Sequence, residues 1–323
     1  MTDVGHVVVL AGGLSYEREV SLRSGRRVAE ALRSLDMDVE VRDADSSLIA
    51  ALTADPPDAV FPLLHGVSGE DGAIRDVLEL LGVPYVGATP DACRVAWDKP
   101  TAKAVVRAAG LRTLDSVALP KEIFHDLGAA AVLDRIVARL GLPLFVKPTR
   151  GGSALGAGPV RDASELPAAM VGCFAYGDTA LIERFVTGTE VAVSVLESDG
   201  DPKALPPVEI VAAGGRYDYT ARYEAGATEL ITPARLSPAT ASAVAHAATT
   251  AHRALGLRDL SRTDLIVDAS GTVYFLEVNV APGMTETSLL PVALSAAGLD
   301  LGTVSRELLA RAVSRETSPA PHH

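Results

Sequence analysis

Cysteine, aromatic residues and long apolar runs are all scarce in this sequence. The 323 residues include two cysteines, and aromatic side chains make up 4%. Two thiols do not indicate a disulfide framework, so we expect a reduced, cytosolic protein. The start, MTDVGHVVVLAGG, has an apolar run of about six residues and no basic region before it, unlike a signal peptide. No window approaches the roughly 20 apolar residues of a membrane helix, so we expect no membrane association.

Basic charge is also in short supply. The net charge is −12 and the pI is about 5.0. A nucleic-acid partner is not expected, because phosphate backbones bind to basic surfaces. The length fits about two or three domains, and a hydrophobic content of 48% is sufficient for a large core.

The order of predicted elements divides the chain into two kinds of fold. Over the first 90 or so residues, apolar strands such as HVVVLAGG, DVEVRDAD, AVFPLLHG and VPYVG alternate with helical segments. This alternation predicts an open parallel α/β sheet. The first helix is expected to use Ser15 as its N-cap. The second half is rich in strands that follow one another directly, which indicates antiparallel α+β structure.

Two common nucleotide-binding motifs are missing. The chain has no G-x-x-x-x-G-K-[ST] sequence, and AGGLSYE does not fit G-x-G-x-x-G. Instead, Lys147 ends a strand in FVKPTRGGSALGAG, and a glycine-rich loop follows. Backbone N–H groups of such a loop can contact phosphates beside a lysine. Lys99 opens a helix in WDKPTAK. Taken singly, these features also fit an ordinary glycine-rich hairpin and a solvated lysine.

The segment ALIERFVTGTE combines apolar and acidic residues in a way that suits a nucleoside. Phe185 and Val186 would provide apolar walls for a purine, and Glu183 and Glu190 would provide carboxylates for ribose hydroxyls. Considered alone, Phe185 is equally well explained as a core residue.

The segment YFLEVNVAPG places two polar side chains on one face near the end of an apolar strand. If the preceding strand LSRTDLIVD pairs with it through a two-residue Ser270-Gly271 turn, Asp264 faces Glu277 and Arg262 faces Asn279. Three oxygen ligands beside an arginine suit Mg²⁺ that carries substrate phosphates. A solvated strand end with ordinary charge pairs is the alternative.

Several separated motifs together resemble the D-alanine–D-alanine ligase family of the ATP-grasp superfamily. They are AGGLSYEREVSLRSG, LLHGVSGEDGAI, GVPYVGATPDACRVAWDK, VKPTRGGSALG, IERFVTGTE, RTDLIVD and LEVNVAPGMTETSLLP. The resemblance implies an N-terminal open parallel α/β (pre-ATP-grasp) domain followed by an ATP-grasp fold of two α+β subdomains. The expected boundaries are 1–97 for the first domain, 98–188 for the central subdomain and 189–323 for the C-terminal subdomain.

The resemblance also assigns nucleotide and metal sites by matching positions. It implies that ATP is bound by Lys99, Lys147, Glu183, Arg184, Phe185, Val186, Glu190 and Arg222. It implies that two Mg²⁺ ions, for which Mn²⁺ can substitute, are held by Asp264, Glu277 and Asn279. In the family mechanism, the γ-phosphate passes to the carboxylate of one D-alanine. The amine of the second D-alanine then attacks that carbonyl, and phosphate leaves.

Substrate roles follow from the same resemblance. Glu17 should bind the ammonium of the first D-alanine and form a hydrogen-bonded set with Ser153 and Tyr223 that closes a loop over the site. The remaining expected substrate-binding and catalytic residues are His65, Arg262, Gly283, Ser288 and Leu289. Of these, Arg262 and the Gly283 N–H should stabilise an oxyanion, and Ser288 and Leu289 should receive the second carboxylate. His65 is expected near the second substrate, although it also fits a loop histidine that bonds to backbone. A homodimer is expected as well.

Four positions depart from the family pattern. Arg222 stands where lysine is usual, Gly151 where an acidic residue is common, Ala154 where a second serine is common, and Arg75 where glutamine is usual. Arginine and lysine are not interchangeable where geometry matters. These departures leave room for a ligase that joins another D-amino acid or D-hydroxy acid. A nucleotide-binding module without ligase activity and an NAD-binding oxidoreductase are the alternatives from other classes.

Overall fold

Three β-sheets follow one another along the chain, in a computed structural model that describes residues 4–198, 200–212 and 227–316. The first sheet is parallel, and the second and third are antiparallel. This is the predicted change from α/β to α+β structure. Within the described ranges, no helix is both long and apolar enough to span a bilayer.

The first sheet has the strand order β2–β1–β3. Its strands are β1 (His6–Ala11), β2 (Asp38–Asp43) and β3 (Ala59–Pro62). The helices around it are α1 (Arg18–Arg33), α2 (Leu48–Ala54), α3 (Val67–Glu70), α4 (Ala73–Leu80) and α5 (Pro90–Trp97). The central strand β1 is buried almost throughout, as expected of a parallel strand covered on both faces.

The second sheet has the order β4–β7–β5–β6. Its strands are β4 (Ser116–Pro120), β5 (Leu144–Pro148), β6 (Gly158–Val160) and β7 (Thr179–Arg184). The helices in this part of the chain are α6 (Lys99–Ala108), α7 (Lys121–Asp126), α8 (Ala129–Leu140) and α9 (Leu166–Phe174), with a 3₁₀ turn at Ala163–Glu165. Helices α7, α8 and α9 share a buried cluster with this sheet, whereas α6 belongs to another. The glycine-rich loop joins β5 to β6, so it lies at one end of this sheet.

The third sheet has the order β11–β10–β8–β12–β13, with β9 paired to β8. Its strands are β8 (Thr189–Ser198), β9 (Asp201–Ala204), β10 (Val208–Ala212), β11 (Thr228–Ile231), β12 (Leu260–Val267) and β13 (Val273–Asn279). The last helices are α10 (Pro238–Ala254), α11 (Leu289–Ala296) and α12 (Leu301–Glu316). One buried cluster joins α1 and β3 to α11 and α12, so the N-terminal sheet shares its core with the C-terminal helices.

Two local predictions were wrong. Helix α1 begins at Arg18 with Glu17 at the N-cap, rather than with Ser15. Ser15 instead forms a turn before the helix, because its carbonyl accepts from the Arg18 N–H and its hydroxyl from the Glu17 N–H. The segment VPYVG forms a single parallel bridge at Tyr85 rather than a strand. Glycines with positive φ bound it at both ends, which limits how far it can extend along the sheet.

Candidate active site

Strands β12 and β13 form the hairpin that the sequence predicts. Asp264 pairs with Glu277, and Arg262 pairs with Asn279, as predicted. The Arg262 guanidinium donates from Nε to Asp264 Oδ1 at 2.7 Å and from Nη2 to Oδ2 at 2.9 Å. This two-point contact fixes the arginine and the carboxylate as one unit. The four side chains therefore come together as a polar patch at the end of the hairpin.

The turn that makes this pairing differs from the predicted two-residue Ser270-Gly271 loop. The Asp268 N–H donates to the Thr272 carbonyl at 3.0 Å, so the connection is one residue longer. A longer loop of this kind shifts the register by one, which would put the patch on opposite faces. The register shifts back just after Asp264, with Leu276 as the extra residue of a β-bulge. The predicted pairs are therefore correct, but they result from a longer loop combined with a β-bulge and not from a two-residue loop.

A cavity of about 170 Å³ lies between strands of the second and third sheets. Its apolar lining comprises Phe145, Leu155, Phe185, Val191, Ile210, Leu265 and Leu276. The rings of Phe145 and Phe185 are stacked, with centroids 6.2 Å apart. Apolar walls with a few polar groups at one end are typical of a small-molecule site.

The polar lining of this cavity comes from five separate elements. Lys99, Lys147, Glu190, Asp264 and Glu277 all line it. The Lys99 ammonium lies 3.5 Å from a Glu277 oxygen. Two lysines beside two carboxylates suit a phosphate group and a cation that accompanies it. All five are among the residues expected at the nucleotide and metal sites.

The carboxylate and amide oxygens of the hairpin patch fit Mg²⁺ as a donor set. In the described part of the chain, no group of three His, Cys, Asp or Glu side chains is placed to hold a metal ion by itself. Here two carboxylates, Asp264 and Glu277, stand with the amide of Asn279, whose Oδ1 also accepts from the Ala281 N–H at 2.9 Å. Magnesium often takes one or two carboxylates and completes its shell with phosphate and water.

The glycine-rich loop forms an edge of the same cavity. Ser153 and Ala154 have φ angles of 54° and 56°, and Gly151 has a φ of 129°. Lys99 Nζ donates to the Gly151 carbonyl at 2.8 Å, which ties the helix-opening lysine to this loop. An L residue rarely adopts the backbone conformation of Gly151, so glycine suits this position better than the acidic residue that is common in the family.

Three expected nucleotide residues are not part of the cavity lining in the described structure. Arg184 points to solvent and lies 4.0 Å from Asp115, and Val186 is half-buried elsewhere. Glu183 is buried, with one oxygen in contact with Lys103 and the other 3.1 Å from Lys147. The Glu183 carboxylate thus supports a cavity lysine.

Lys103 is a site residue that the sequence reasoning missed. It lies one turn after Lys99 on α6 and is 2% exposed as a side chain. Burial, with Lys147 nearby, lowers the pKa of Lys103 well below its usual value, so its charge depends on neighbouring carboxylates. The signal in the sequence was the i, i+4 spacing of two lysines on one helix face.

We expect Lys103→Met to destabilise the fold by about 3 kcal/mol or more, because it removes one partner of a buried ion pair. Lys103→Met with Glu183→Gln should recover part of that loss, since no buried carboxylate is then left short of a partner. Urea unfolding of the two variants and the parent gives the comparison. An unchanged midpoint for the single variant would contradict a stabilising role for the pair.

A second cavity, of about 70 Å³, lies beside the first and shares Gly152 with it. Its lining includes Glu17, His65, Ser153, Arg262, Gly283, Ser288 and Leu289. All the expected substrate-binding residues therefore meet at one place, from both ends of the chain. The other two residues expected at the site, Arg222 and Tyr223, lie outside the described residues.

The loop that carries Gly283 is held by side-chain and helix contacts. The Ser288 hydroxyl accepts from the Thr285 N–H at 3.1 Å, and α11 begins at the next residue. A Cβ on Gly283 would meet Ser288 Oγ at 2.7 Å, so this approach requires glycine. From α1, Arg27 donates to the Met284 and Thr285 carbonyls at 3.0 and 2.7 Å. Helix α1 thus connects Glu17 at its start to this loop.

His65 is held by two hydrogen bonds and is uncharged at neutral pH. Nδ1 lies 2.9 Å from the Ala281 carbonyl, and Nε2 lies 3.3 Å from the Ser24 hydroxyl. A carbonyl only accepts, so Nδ1 carries the proton and Nε2 accepts from Ser24. Burial, together with Arg262, lowers the pKa of His65 to about 4. His65 thus lines the second cavity and also bonds to backbone, so the two interpretations do not exclude each other.

Arg75, one of the four departures, lies away from both cavities. Its side chain is almost fully buried, and Nη1 donates to the Gly69 carbonyl. The guanidinium therefore holds the segment HGVSGEDG through its backbone. Its charge does not line either cavity.

The family models described as "D-ala D-ala ligase C-terminus" and "D-ala D-ala ligase N-terminus" match residues 105–310 and 42–88. The D-alanine–D-alanine ligases of Anaeromyxobacter dehalogenans (strain 2CP-C) and Bordetella petrii are 43% and 40% identical to the chain. These alignments cover 94% and 98% of the chain and 95% of each relative. The chain belongs to the D-alanine–D-alanine ligase family.

Solved structures of this family have the same fold as the chain. The VanG D-Ala:D-Ser ligase from Enterococcus faecalis gives a TM-score of 0.82 at 29% identity, over 96% of this chain and 100% of that one. A ligase from Bacillus anthracis, solved in complex with ATP, gives 0.81 at 27% identity, over 97% and 99%. The predicted fold class and family are confirmed.

Proposed function

We propose that the protein joins two D-alanines into D-alanyl-D-alanine at the expense of ATP, through an acyl phosphate, as a precursor for peptidoglycan. The observation that carries this proposal is the placement of the hairpin patch between two cavities. Asp264 and Glu277 line the larger cavity, and Arg262 and Asn279 line the smaller one. A phosphoryl group can therefore be transferred from a nucleotide in one cavity to a carboxylate in the other.

The first step is proposed to use the lysines and carboxylates of the larger cavity. Lys99 and Lys147 would contact phosphate oxygens, and Phe185 and Glu190 would contact the nucleoside. Mg²⁺, held by Asp264, Glu277 and Asn279, would supply charge stabilisation for phosphoryl transfer. Glu17, buried in the smaller cavity, would hold the ammonium of the first D-alanine so that its carboxylate faces the phosphate.

The second step is proposed to use the loop between β13 and α11. The amine of the second D-alanine attacks the acyl phosphate carbonyl, and phosphate leaves with the electron pair of the broken C–O bond. Arg262 and the Gly283 N–H would stabilise the oxyanion that forms. The start of α11, at Ser288 and Leu289, would receive the second carboxylate, since a helix N-terminus favours an anion.

The second substrate is the point on which relatives differ. One solved relative is a D-Ala:D-Ser ligase, and the 40–43% identical relatives are D-alanine–D-alanine ligases. We therefore retain a ligase for another D-amino acid or D-hydroxy acid as the alternative, with the same first step and the same metal site.

The deciding experiment measures phosphate release from ATP and Mg²⁺ with D-alanine alone, and identifies the product by mass spectrometry. L-alanine, D-serine and D-lactate, each paired with D-alanine, are run beside it. We expect D-alanyl-D-alanine as the main product. Release that requires a mixed pair would favour the alternative, and absence of release with any pair would contradict both ligase proposals.

Three further expectations belong to this proposal. The division into residues 1–97, 98–188 and 189–323 is supported by the three sheets, each of which falls within one segment. A homodimer through the first domain, and a cytoplasmic location without nucleic-acid or membrane partners, remain predictions. Sedimentation of the purified protein over a range of concentrations tests the dimer.

A further inference from the structure

The smaller cavity contains a second buried carboxylate that the proposed mechanism does not use. Besides Glu17, Glu70 at the end of α3 lines this cavity and is 7% exposed. Both belong to the part of the wall contributed by the N-terminal sheet. A buried carboxylate is unfavourable unless a cation or a hydrogen-bond donor meets it. Each of the two therefore needs a cation or a hydrogen-bond donor in this cavity.

The surroundings of Glu70 leave one of its oxygens open to the cavity. Oε1 accepts from the Gly66 N–H at 2.8 Å, and Oε2 accepts no hydrogen bond from any residue that the structure describes. Glu17 approaches the same glycine on its α-carbon, where an added Cβ would lie 2.5 Å from Glu17 Oε2. The two carboxylates thus flank Gly66 and face one small space.

The proposed reaction brings two ammonium groups to this space. Glu17 also lies against Gly152 of the glycine-rich loop, where an added Cβ would meet its Oε1 at 3.0 Å. This places Glu17 on the side where the first amino acid is phosphorylated. The first ammonium stays charged throughout, but the second must lose a proton before its nitrogen can attack a carbonyl.

We propose that Glu70 binds the ammonium of the second amino acid and accepts the proton that it must lose. This inference rests on the proposed ligase function and adds a proton acceptor to it. The ammonium gives one proton to Glu70, and the freed lone pair forms the C–N bond with the acyl phosphate carbon. The C–O bond to phosphate breaks, the departing phosphate takes the second proton, and Glu70 releases its proton to solvent.

His65 also lines this cavity, and its hydrogen bonds exclude it as the acceptor. Nδ1 donates to the Ala281 carbonyl, and Nε2 already accepts from Ser24. Glu70 differs in that its Oε2 accepts no hydrogen bond within the described part of the chain. Burial raises the pKa of Glu70 to about 7, with Glu17 adding to the rise and Arg262 and Lys99 opposing it. A base with a pKa near the working pH can both take and release a proton in each cycle.

Glu70→Gln tests the proposal, because glutamine can keep the hydrogen bond from Gly66 but cannot take a proton. Two nucleophiles are compared at saturating ATP, Mg²⁺ and D-alanine as acyl donor. D-alanine attacks as the second substrate and arrives as an ammonium. Hydroxylamine is largely uncharged at neutral pH, needs no base, and gives D-alanyl hydroxamate. We expect the variant to lose about 10²-fold in dipeptide formation and to form hydroxamate within a few-fold of the parent.

The pH profile supplies a second readout. With Glu70 as acceptor, dipeptide formation by the parent should rise with pH and level off once Glu70 is deprotonated, above about pH 7. In Glu70→Gln, the rate with D-alanine should keep rising as the free amine accumulates in solution. Glu70→Asp keeps a carboxylate and should keep the plateau at a reduced rate. Glu19→Gln, on the exposed side of α1, is the matched control and should behave as the parent.

Three outcomes would overturn the proposal. Equal loss with both nucleophiles would assign Glu70 a structural role or a role in the first step. Unchanged dipeptide formation would show that its carboxylate is not used. A parent profile that rises without a plateau would exclude proton transfer to Glu70 even if the variant did not fold. Failure of the proposed function itself is distinct, because the parent would then form neither dipeptide nor hydroxamate.

Discussion

Glu277→Gln is expected to lower turnover by about 10²-fold or more, while the fold and nucleotide binding persist. A loss of about 3 kcal/mol in transition-state stabilisation corresponds to such a factor. The glutamine keeps the shape of the side chain but removes the charge that would hold Mg²⁺ opposite Asp264. It also leaves the Lys99 ammonium, 3.5 Å away, without that carboxylate. Phosphate release at saturating ATP and D-alanine measures the effect.

The metal assignment predicts a specific dependence on Mg²⁺. In Glu277→Gln, the concentration of Mg²⁺ that gives half-maximal turnover should rise, because a charged ligand has been lost. Glu229→Gln, on the exposed side of β11, is the matched control and should keep the parent values. Turnover like that of the parent in Glu277→Gln, with the same Mg²⁺ dependence, would contradict the metal site at the hairpin.

The residue pairs across this hairpin could be predicted from the sequence. The loop length and the β-bulge that produce these pairs could not. Period-two alternation and two complementary strands fixed which residues could share a face. The loop length and the bulge at Leu276 change the register in opposite directions, so their effects cancel. A bulge depends on how the strand packs against its neighbours, and a single sequence does not reveal that packing.

The larger cavity shows a different limit of sequence reasoning. Lys147, Phe185 and Glu190, which the motifs assign to a nucleotide site, line one cavity. Glu183 lies two positions before Phe185, so alternation would put both on one face, but β7 ends at Arg184 and Glu183 contacts the buried Lys103 and Lys147. Alternation alone would therefore have kept Glu183 together with Phe185. The partner of Glu183, Lys103, lies on α6, which packs against β13, so this contact depends on tertiary packing that the sequence does not reveal.

Sequence reasoning could not assign a role to Glu70 or to Ser24. Glu70 belongs to a motif that indicated the family, yet its function depends on a cavity built from distant segments. Ser24 is a small residue in the middle of a helix, where burial against α-helical neighbours is the ordinary expectation. Its contact with His65 spans 41 positions of sequence, so it becomes apparent only in three dimensions.

Arg262→Lys is expected to lower kcat/KM for D-alanine by about 10²–10³-fold, the range found when a donor to an oxyanion is removed. Lysine keeps the charge but cannot keep the two-point contact with Asp264 and at the same time reach the smaller cavity. Arg235→Lys changes an arginine that pairs with Glu209 away from both cavities, and it is the matched control.

The two-nucleophile assay separates this arginine from Glu70. An oxyanion forms whether the attacking nitrogen belongs to D-alanine or to hydroxylamine, so Arg262→Lys should lose both products in similar proportion. Glu70→Gln should lose only the dipeptide, because only D-alanine must give up a proton before it attacks. Normal hydroxamate formation by Arg262→Lys would contradict oxyanion stabilisation and would leave the arginine as a support for Asp264 alone.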